Sequence, residues 1–219
     1  MLQKPALIYC YDAYCGWCYG FSPVIQKIAN EYEALLDADV LSGGMVMPEE
    51  PVHISATAAY ILGAYKNVEA LSGVSFGKDY LWHIKNPEDS DWYPHSEKPA
   101  IAMCIFKEFY PERAVEFAGD LQRALYSEGR DLTDNEAYPS ILEKYSINEE
   151  TFFEKMASET YKEMAAYEFA LMKQLQVNGF PTVFIQTEDL KFYMIARGFT
   201  SYQEVKNRID AVLKEISVA

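Results

Sequence analysis

The densest chemical signal in the chain is Cys15-Gly16-Trp17-Cys18. Two thiols spaced i, i+3 at the start of a helix share one face and come within disulfide reach. The free amides and the positive end of the helix dipole favour a thiolate on the first sulfur. Cys15 is therefore the expected nucleophile, exposed at the helix end, and Cys18, one turn inside, is the thiol that resolves a mixed disulfide on Cys15. The chemistry is thiol–disulfide exchange. Together with Cys10 and Cys104 the same thiols could hold zinc, but a zinc knuckle needs its second pair close by. Cys104 has Ile101 and Ile105 beside it and Cys10 lies in an apolar run, so both read as core residues and no metal is expected.

Composition narrows the setting. The chain has 219 residues, 50% hydrophobic and 24% charged, which excludes a disordered or fibrous protein. Its 33 acidic residues outnumber 19 basic ones, and a net charge of −14 is repelled by a phosphate backbone or an anionic membrane. Neither nucleic acid nor membrane is an expected partner. Four cysteines are too few for a disulfide scaffold. No apolar run reaches the ~18 residues of a membrane span, and Lys4-Pro5 leads directly into a strand-like segment without a signal-peptide core. A cytoplasmic location is expected.

The elements that must position the thiols follow from periodicity. Ala6 to Tyr11 is a short apolar run, the pattern of a strand buried on both faces. Phe21, Ile25, Ile28, Tyr32 and Leu35 then lay one stripe along a helix that starts near the cysteines, with Pro23 expected to kink or restart it. Asp39 to Met47 reads as a second strand, completing a parallel crossover unit. From about Pro51 to Val177 helical periods dominate: Ile54 to Lys66, Pro99 to Tyr110, Glu112 to Ser127, Asn135 to Tyr145 and Tyr161 to Leu175, with a Trp- and Pro-containing loop from Trp82 to Ser96. Thr133 with Glu136, Thr160 with Glu163 and Thr200 with Gln203 have the spacing of capping boxes. Strands return at Thr182 to Thr187 and Phe192 to Arg197 around a Glu188-Asp189 turn, before a last helix that buries Val205, Ile209, Val212 and Ile216. The fold class is thus α/β, a small mixed sheet with helices on both faces interrupted by an all-helical insertion. Residues 1–50 and 177–219 form one discontinuous domain and residues 51–176 the insertion.

A second signal is Gly179-Phe180-Pro181-Thr182, where a proline heads a strand and a cis bond marks a constrained turn. His53, His83 and His95 show no ligand spacing, and Trp82, Trp92 and Tyr93 read as loop and core packing or as an apolar lip over the dithiol.

On these residues the chain resembles the thioredoxin fold in its DsbA-like form. Asp12-x-x-Cys15-Gly-Trp-Cys18-Tyr-Gly-Phe and Ser96-Glu97-Lys98-Pro99-Ala100 are similar to the cytosolic FrnE-like branch of protein-disulfide isomerases and dithiol oxidoreductases. The resemblance implies that Pro181 is cis and faces the dithiol, and that Pro181 and the Phe180 backbone pair with an extended substrate strand. With Trp17, they form the expected substrate site. Where many thioredoxins carry a buried aspartate six residues before the first cysteine, this chain has Tyr9. Asp12 is then the candidate proton acceptor for Cys18, and reads equally well as a solvated turn residue. The expected activity is that of a thiol–disulfide oxidoreductase or isomerase on protein or small-molecule disulfides and dithiols. No cofactor is expected beyond glutathione as a redox partner. The alternatives are a glutathione-dependent isomerase, which the family usually builds with serine at the first motif position, and a non-enzymatic redox-sensing or zinc-binding module.

Overall fold

The structure, a computed structural model, describes residues 4–188 and 191–218. In chain order it has β1 (Ala6–Tyr11), α1 (Gly16–Glu31) and β2 (Asp37–Ser42). Seven α-helices follow: α2 (Ser55–Ser72), α3 (Lys78–Lys85), α4 (Glu97–Phe109), α5 (Ala114–Tyr126), α6 (Pro139–Lys144), α7 (Glu149–Met156) and α8 (Glu159–Gln174). The chain then returns to β3 (Thr182–Glu188), β4 (Lys191–Arg197) and α9 (Tyr202–Val218). The mixed sheet and its helical insertion are those the hydrophobic pattern predicts.

The sheet order is β2-β1-β3-β4, with β1 parallel to β2 and antiparallel to β3, and β4 antiparallel to β3. Being central, β1 must be apolar on both faces, and the period-two alternation divides it. Leu7, Tyr9 and Tyr11 enter the main core with Phe21, Ile25 and Ile28 of α1 and Val205 and Ile209 of α9. Ile8 and Cys10 face a second cluster with Leu41, Phe184 and Met172 of α8, so helices cover both faces. The register pairs Cys10 with Leu41 on one side and Thr182 on the other. It brings the Pro181 loop to the end of β1 from which Asp12 to Cys15 lead off.

The insertion is anchored by α4, in which every residue from Pro99 to Phe106 is buried. Phe106 stacks on Phe117 of α5 at 4.0 Å, and fully burying a side chain of this size contributes about 2–3 kcal/mol. Lys107, largely buried on α4, donates to Glu168 of α8 (2.6 Å), to the Val40 carbonyl (2.9 Å) and to Asp39 (3.3 Å), tying two insertion helices to β2. All three ammonium protons are engaged, and against the desolvation that burial imposes, Glu168 and Asp39 hold the Lys107 pKa above the usual value.

Local expectations fail at several ends. The second strand stops at Ser42, and α1 ends at Glu31, leaving Leu35 beyond it and 53% exposed. Pro23 lies within α1, which continues through it. The Asn135 to Tyr145 helix is broken, a short 3-10 turn at Asn135–Ala137 giving way to α6 at Pro139. Helices α3 and α7, at eight residues each, are too short to show a period, and α3 takes in Trp82 to Lys85 of the expected loop. Capping falls one or two residues from the threonines: Ser158 accepts from the Thr160 amide and Ser201 from Glu204, while the Thr133 amide itself donates to Asp131. A serine two residues before Thr160 and another one residue after Thr200 reach the free amides as well, and tertiary packing decides where the helix begins. Asp189, of the expected hairpin turn, lies outside the described residues.

Candidate active site

Cys15 is the N-cap of α1, in extended conformation, and its sulfur accepts the Cys18 amide at 3.3 Å. This is the position at which a side chain satisfies the free amides of the first turn, and at which an anionic sulfur is best supported. The Cys15 thiol also lies 3.6 Å from the Phe180 carbonyl, across 165 residues of sequence. Both sulfurs are free thiols. Contrary to the expectation of an exposed nucleophile, Cys15 is only 5% exposed, because the Phe180 loop and an aromatic cavity on the α2 side enclose it. Cys18 is fully buried, and burial, with the neighbouring Cys15 and Asp12, pushes its thiol well above the usual range.

Phe180–Pro181 is a cis peptide bond, as the proline at the strand head implies. The Pro181 carbonyl accepts the Gly198 amide at 2.7 Å and the Gly179 carbonyl accepts the Thr182 hydroxyl at 2.8 Å, fixing the loop on both sides. The Phe180 ring rests on Gly43, where an added Cβ would overlap it. Gly44 follows in the left-handed region, with the Phe169 ring against it. Gly43→Ala should therefore push Phe180 from its seat and move the carbonyl that faces Cys15. Overpacking of this kind costs about 1–3 kcal/mol. The expected result is a lower melting temperature together with a raised KM for disulfide exchange; an unchanged KM would detach Gly43 from the site. Beside Phe180 runs a groove of about 530 Å³ that includes Met45, Met47, Phe169 and Met172.

Asp12 is no solvated turn residue. It is 2% exposed, and its carboxylate accepts from the Tyr14 amide (2.9 Å), the Ser96 hydroxyl (3.0 Å) and the Met45 amide (2.8 Å). It thus ties the β1–α1 turn to the segment after β2 and to the start of α4. Burial holds its pKa above the usual carboxylate value despite these hydrogen bonds. Tyr9 stands on β1 under the helix start, its hydroxyl buried and its electrostatic neighbours Cys18 and Cys15.

Trp17 is half-buried, its ring 6.3 Å from Phe199. Behind the helix start, Tyr19 stacks on Tyr126 at 5.1 Å and Phe76 meets the same ring edge-on at 5.3 Å. No local pattern announced this aromatic wall, since its members come from α1, α3, α5 and the turn before α3. His53 and His83, far apart in sequence, meet at Ser90: His53 bonds its carbonyl (2.8 Å) and His83 its hydroxyl (2.8 Å). His95 accepts the Glu97 amide at 3.3 Å. Trp92 is buried and stacks on His83 at 4.0 Å, whereas Trp82 and Tyr93 are exposed. Cys10 and Cys104 are buried, with burial pushing both thiols up to about 12. Among the described residues no three His, Cys, Asp or Glu side chains are grouped to hold a metal ion, and no helix is long and apolar enough to cross a membrane.

Residues 84–210, more than half of the chain, match the model of the DSBA-like thioredoxin domain. The matched stretch contains Pro181 but not Cys15 or Cys18. A comparison with curated proteins finds no match. Among solved structures, the chain is similar to a candidate protein disulfide isomerase from Nitrosomonas europaea, with a TM-score of 0.85 and 24% identity over 97% of this chain and 99% of that one. It is also similar to the cytosolic disulfide reductase DsbM from Pseudomonas aeruginosa, with a TM-score of 0.74 and 24% identity over 98% of this chain and 100% of that one. That protein has also been solved with GSH. A 2-hydroxychromene-2-carboxylate isomerase aligns with a TM-score of 0.62 at 13% identity, over 97% of this chain and 96% of that one. These likenesses show the fold.

Proposed function

The chain belongs to the DsbA-like thioredoxin family of thiol–disulfide oxidoreductases, and from that premise we propose that Cys15 and Cys18 form its redox centre, acting on protein or small-molecule disulfides. The observation that carries this reading is the Cys15 sulfur at the first turn of α1, bonded by the Cys18 amide and facing the Phe180 carbonyl. The Cys15 thiolate attacks one sulfur of the substrate disulfide, and the other substrate sulfur leaves as a thiolate and takes up a proton. Cys18 then loses its proton and attacks the Cys15 sulfur, which closes the Cys15–Cys18 disulfide and releases the second substrate thiol. Two electrons pass from protein to substrate.

Phe180 and Pro181 supply the backbone edge along which an extended substrate lies, and Trp17 flanks it. Asp12 enters as the candidate proton acceptor for Cys18: the charge of its carboxylate favours the proton on that thiol, while the Asp12 backbone, hydrogen-bonded to the thiol, favours the thiolate. In a reducing cytosol, the setting named for the Pseudomonas relative, the centre would rest as a dithiol and work as a reductase or isomerase, with glutathione as redox partner. Equilibration in glutathione buffers of graded potential, followed by acid quench and thiol mapping, tests the reading. One two-electron transition confined to Cys15 and Cys18 is expected, and its midpoint sets the direction of electron flow. A protein in which these two sulfurs never join would not be this enzyme.

A further inference from the structure

Cys15, Gly16 and Trp17 form one wall of a cavity of about 150 Å³ on the α2 side of the dithiol. A second cavity of about 170 Å³ adjoins it, and Tyr14, Met45, Tyr60, Ile61, Tyr80 and Tyr126 line both. Neither is lined by an aspartate, glutamate, lysine or arginine. The one histidine, His53, has both ring nitrogens engaged, by Ser55 and by Ser90. Burial pushes the phenols of Tyr80 and Tyr126 further above their usual value, so neither adds a charge at neutral pH. Tyr60, 74% exposed, and the exposed Met45 stand at the rim.

A cavity of about 150 Å³ with apolar walls admits a benzene-sized ring. It is hostile to a carboxylate, which would lose its water and find no cation. Glutathione disulfide carries carboxylates on both halves, so these walls offer it nothing. The cavities are distinct from the groove beside the backbone edge that an extended peptide would use: Phe180 lines that groove and neither cavity, and Met45 is the residue common to all three. A group reaching it must be carried close to the sulfur that Cys15 attacks.

We propose that this pair of cavities is a specificity pocket for an uncharged aromatic group borne on the attacked sulfur, so that the protein prefers neutral aromatic organic disulfides to glutathione disulfide. The proposal rests on the reading of Cys15 as nucleophile. In the reaction, the Cys15 thiolate bonds to the ring-bearing sulfur and the other half leaves as a thiolate that takes up a proton. Cys18 then displaces the aromatic thiol, and the prereduced protein supplies both electrons.

Single-turnover experiments on the prereduced full chain test it with three probes: 2-hydroxyethyl benzyl disulfide, bis(2-hydroxyethyl) disulfide and glutathione disulfide. The benzyl probe should react at least about tenfold faster than the hydroxyethyl one, the usual range for filling an apolar pocket. Ala64→Phe, which fills the first cavity from α2, should bring the ratio of the two rates to about one. Benzyl alcohol, which has no sulfur, should inhibit the wild-type reaction with the benzyl probe saturably, a readout independent of how the variant folds. Equal rates for the benzyl and hydroxyethyl probes, or a preference for glutathione disulfide, would overturn the pocket and leave the oxidoreductase reading standing. Inhibition by an apolar cysteine-free peptide but not by benzyl alcohol would overturn it in favour of a polypeptide side chain. No reaction with any of the three overturns the pocket, and the oxidoreductase reading falls with it if Cys15 and Cys18 also fail to join in the graded glutathione buffers.

Discussion

Cys18→Ser should turn the protein into a trap that accumulates substrate as a mixed disulfide on Cys15. The resolving thiol is buried within the first turn of α1, and its amide is bonded to the Cys15 sulfur, so it is held at short range from the bond it must break. Well-placed intramolecular groups reach effective concentrations of about 10⁵ M or more, which millimolar external thiol cannot replace. Resolution should slow by at least about a thousandfold in this variant, on the same argument. A serine hydroxyl is close in size to the thiol and leaves the helix start packed. Non-reducing mass spectrometry after exposure to a disulfide should find the adduct on Cys15, and the Cys15→Ser control should carry none. If both variants behave alike, Cys15 is not the attacking sulfur.

Alkylation should separate the four cysteines by their surroundings. With their thiols pushed up to about 12 by burial, Cys10 and Cys104 hold on the order of three thiolates per hundred thousand at pH 7.5. Cys18 is raised as well; Cys15 lines a cavity at the N-terminus of α1, and Cys104, which lines a cavity against α8, is held protonated by burial. Iodoacetamide at pH 7.5 should therefore label Cys15 first, by a margin of about a thousandfold over Cys10 and Cys104. Label appearing on Cys18 first would exchange the two roles. The same shifts set a pH dependence of stability. A thiol whose pKa is higher folded than unfolded favours the fold fully below the unfolded value of about 8.5, and that contribution is lost as pH rises toward the folded value. The melting temperature should fall from about pH 8.5 upward, and labelling of Cys10 and Cys104 should rise in step with that fall.

The elements legible without a structure are the local ones. A buried run followed by two thiols at i, i+3 specifies a strand and a helix start, because periods of two and 3.6 are properties of neighbouring residues. The Phe180-Pro181 turn was legible for the same reason, since proline restricts its own peptide bond. The tertiary structure decided the rest. Asp12 looks like a turn residue until its carboxylate meets Met45 and Ser96, and Cys15 looks exposed until Phe180 and the aromatic wall close around it. Gly43 carries no signal until the Phe180 ring rests on it. His53 and His83 share no spacing, yet both bond Ser90. Each of these depends on which distant segments the sheet order β2-β1-β3-β4 brings together, and no residue's near neighbours in the chain encode that pairing.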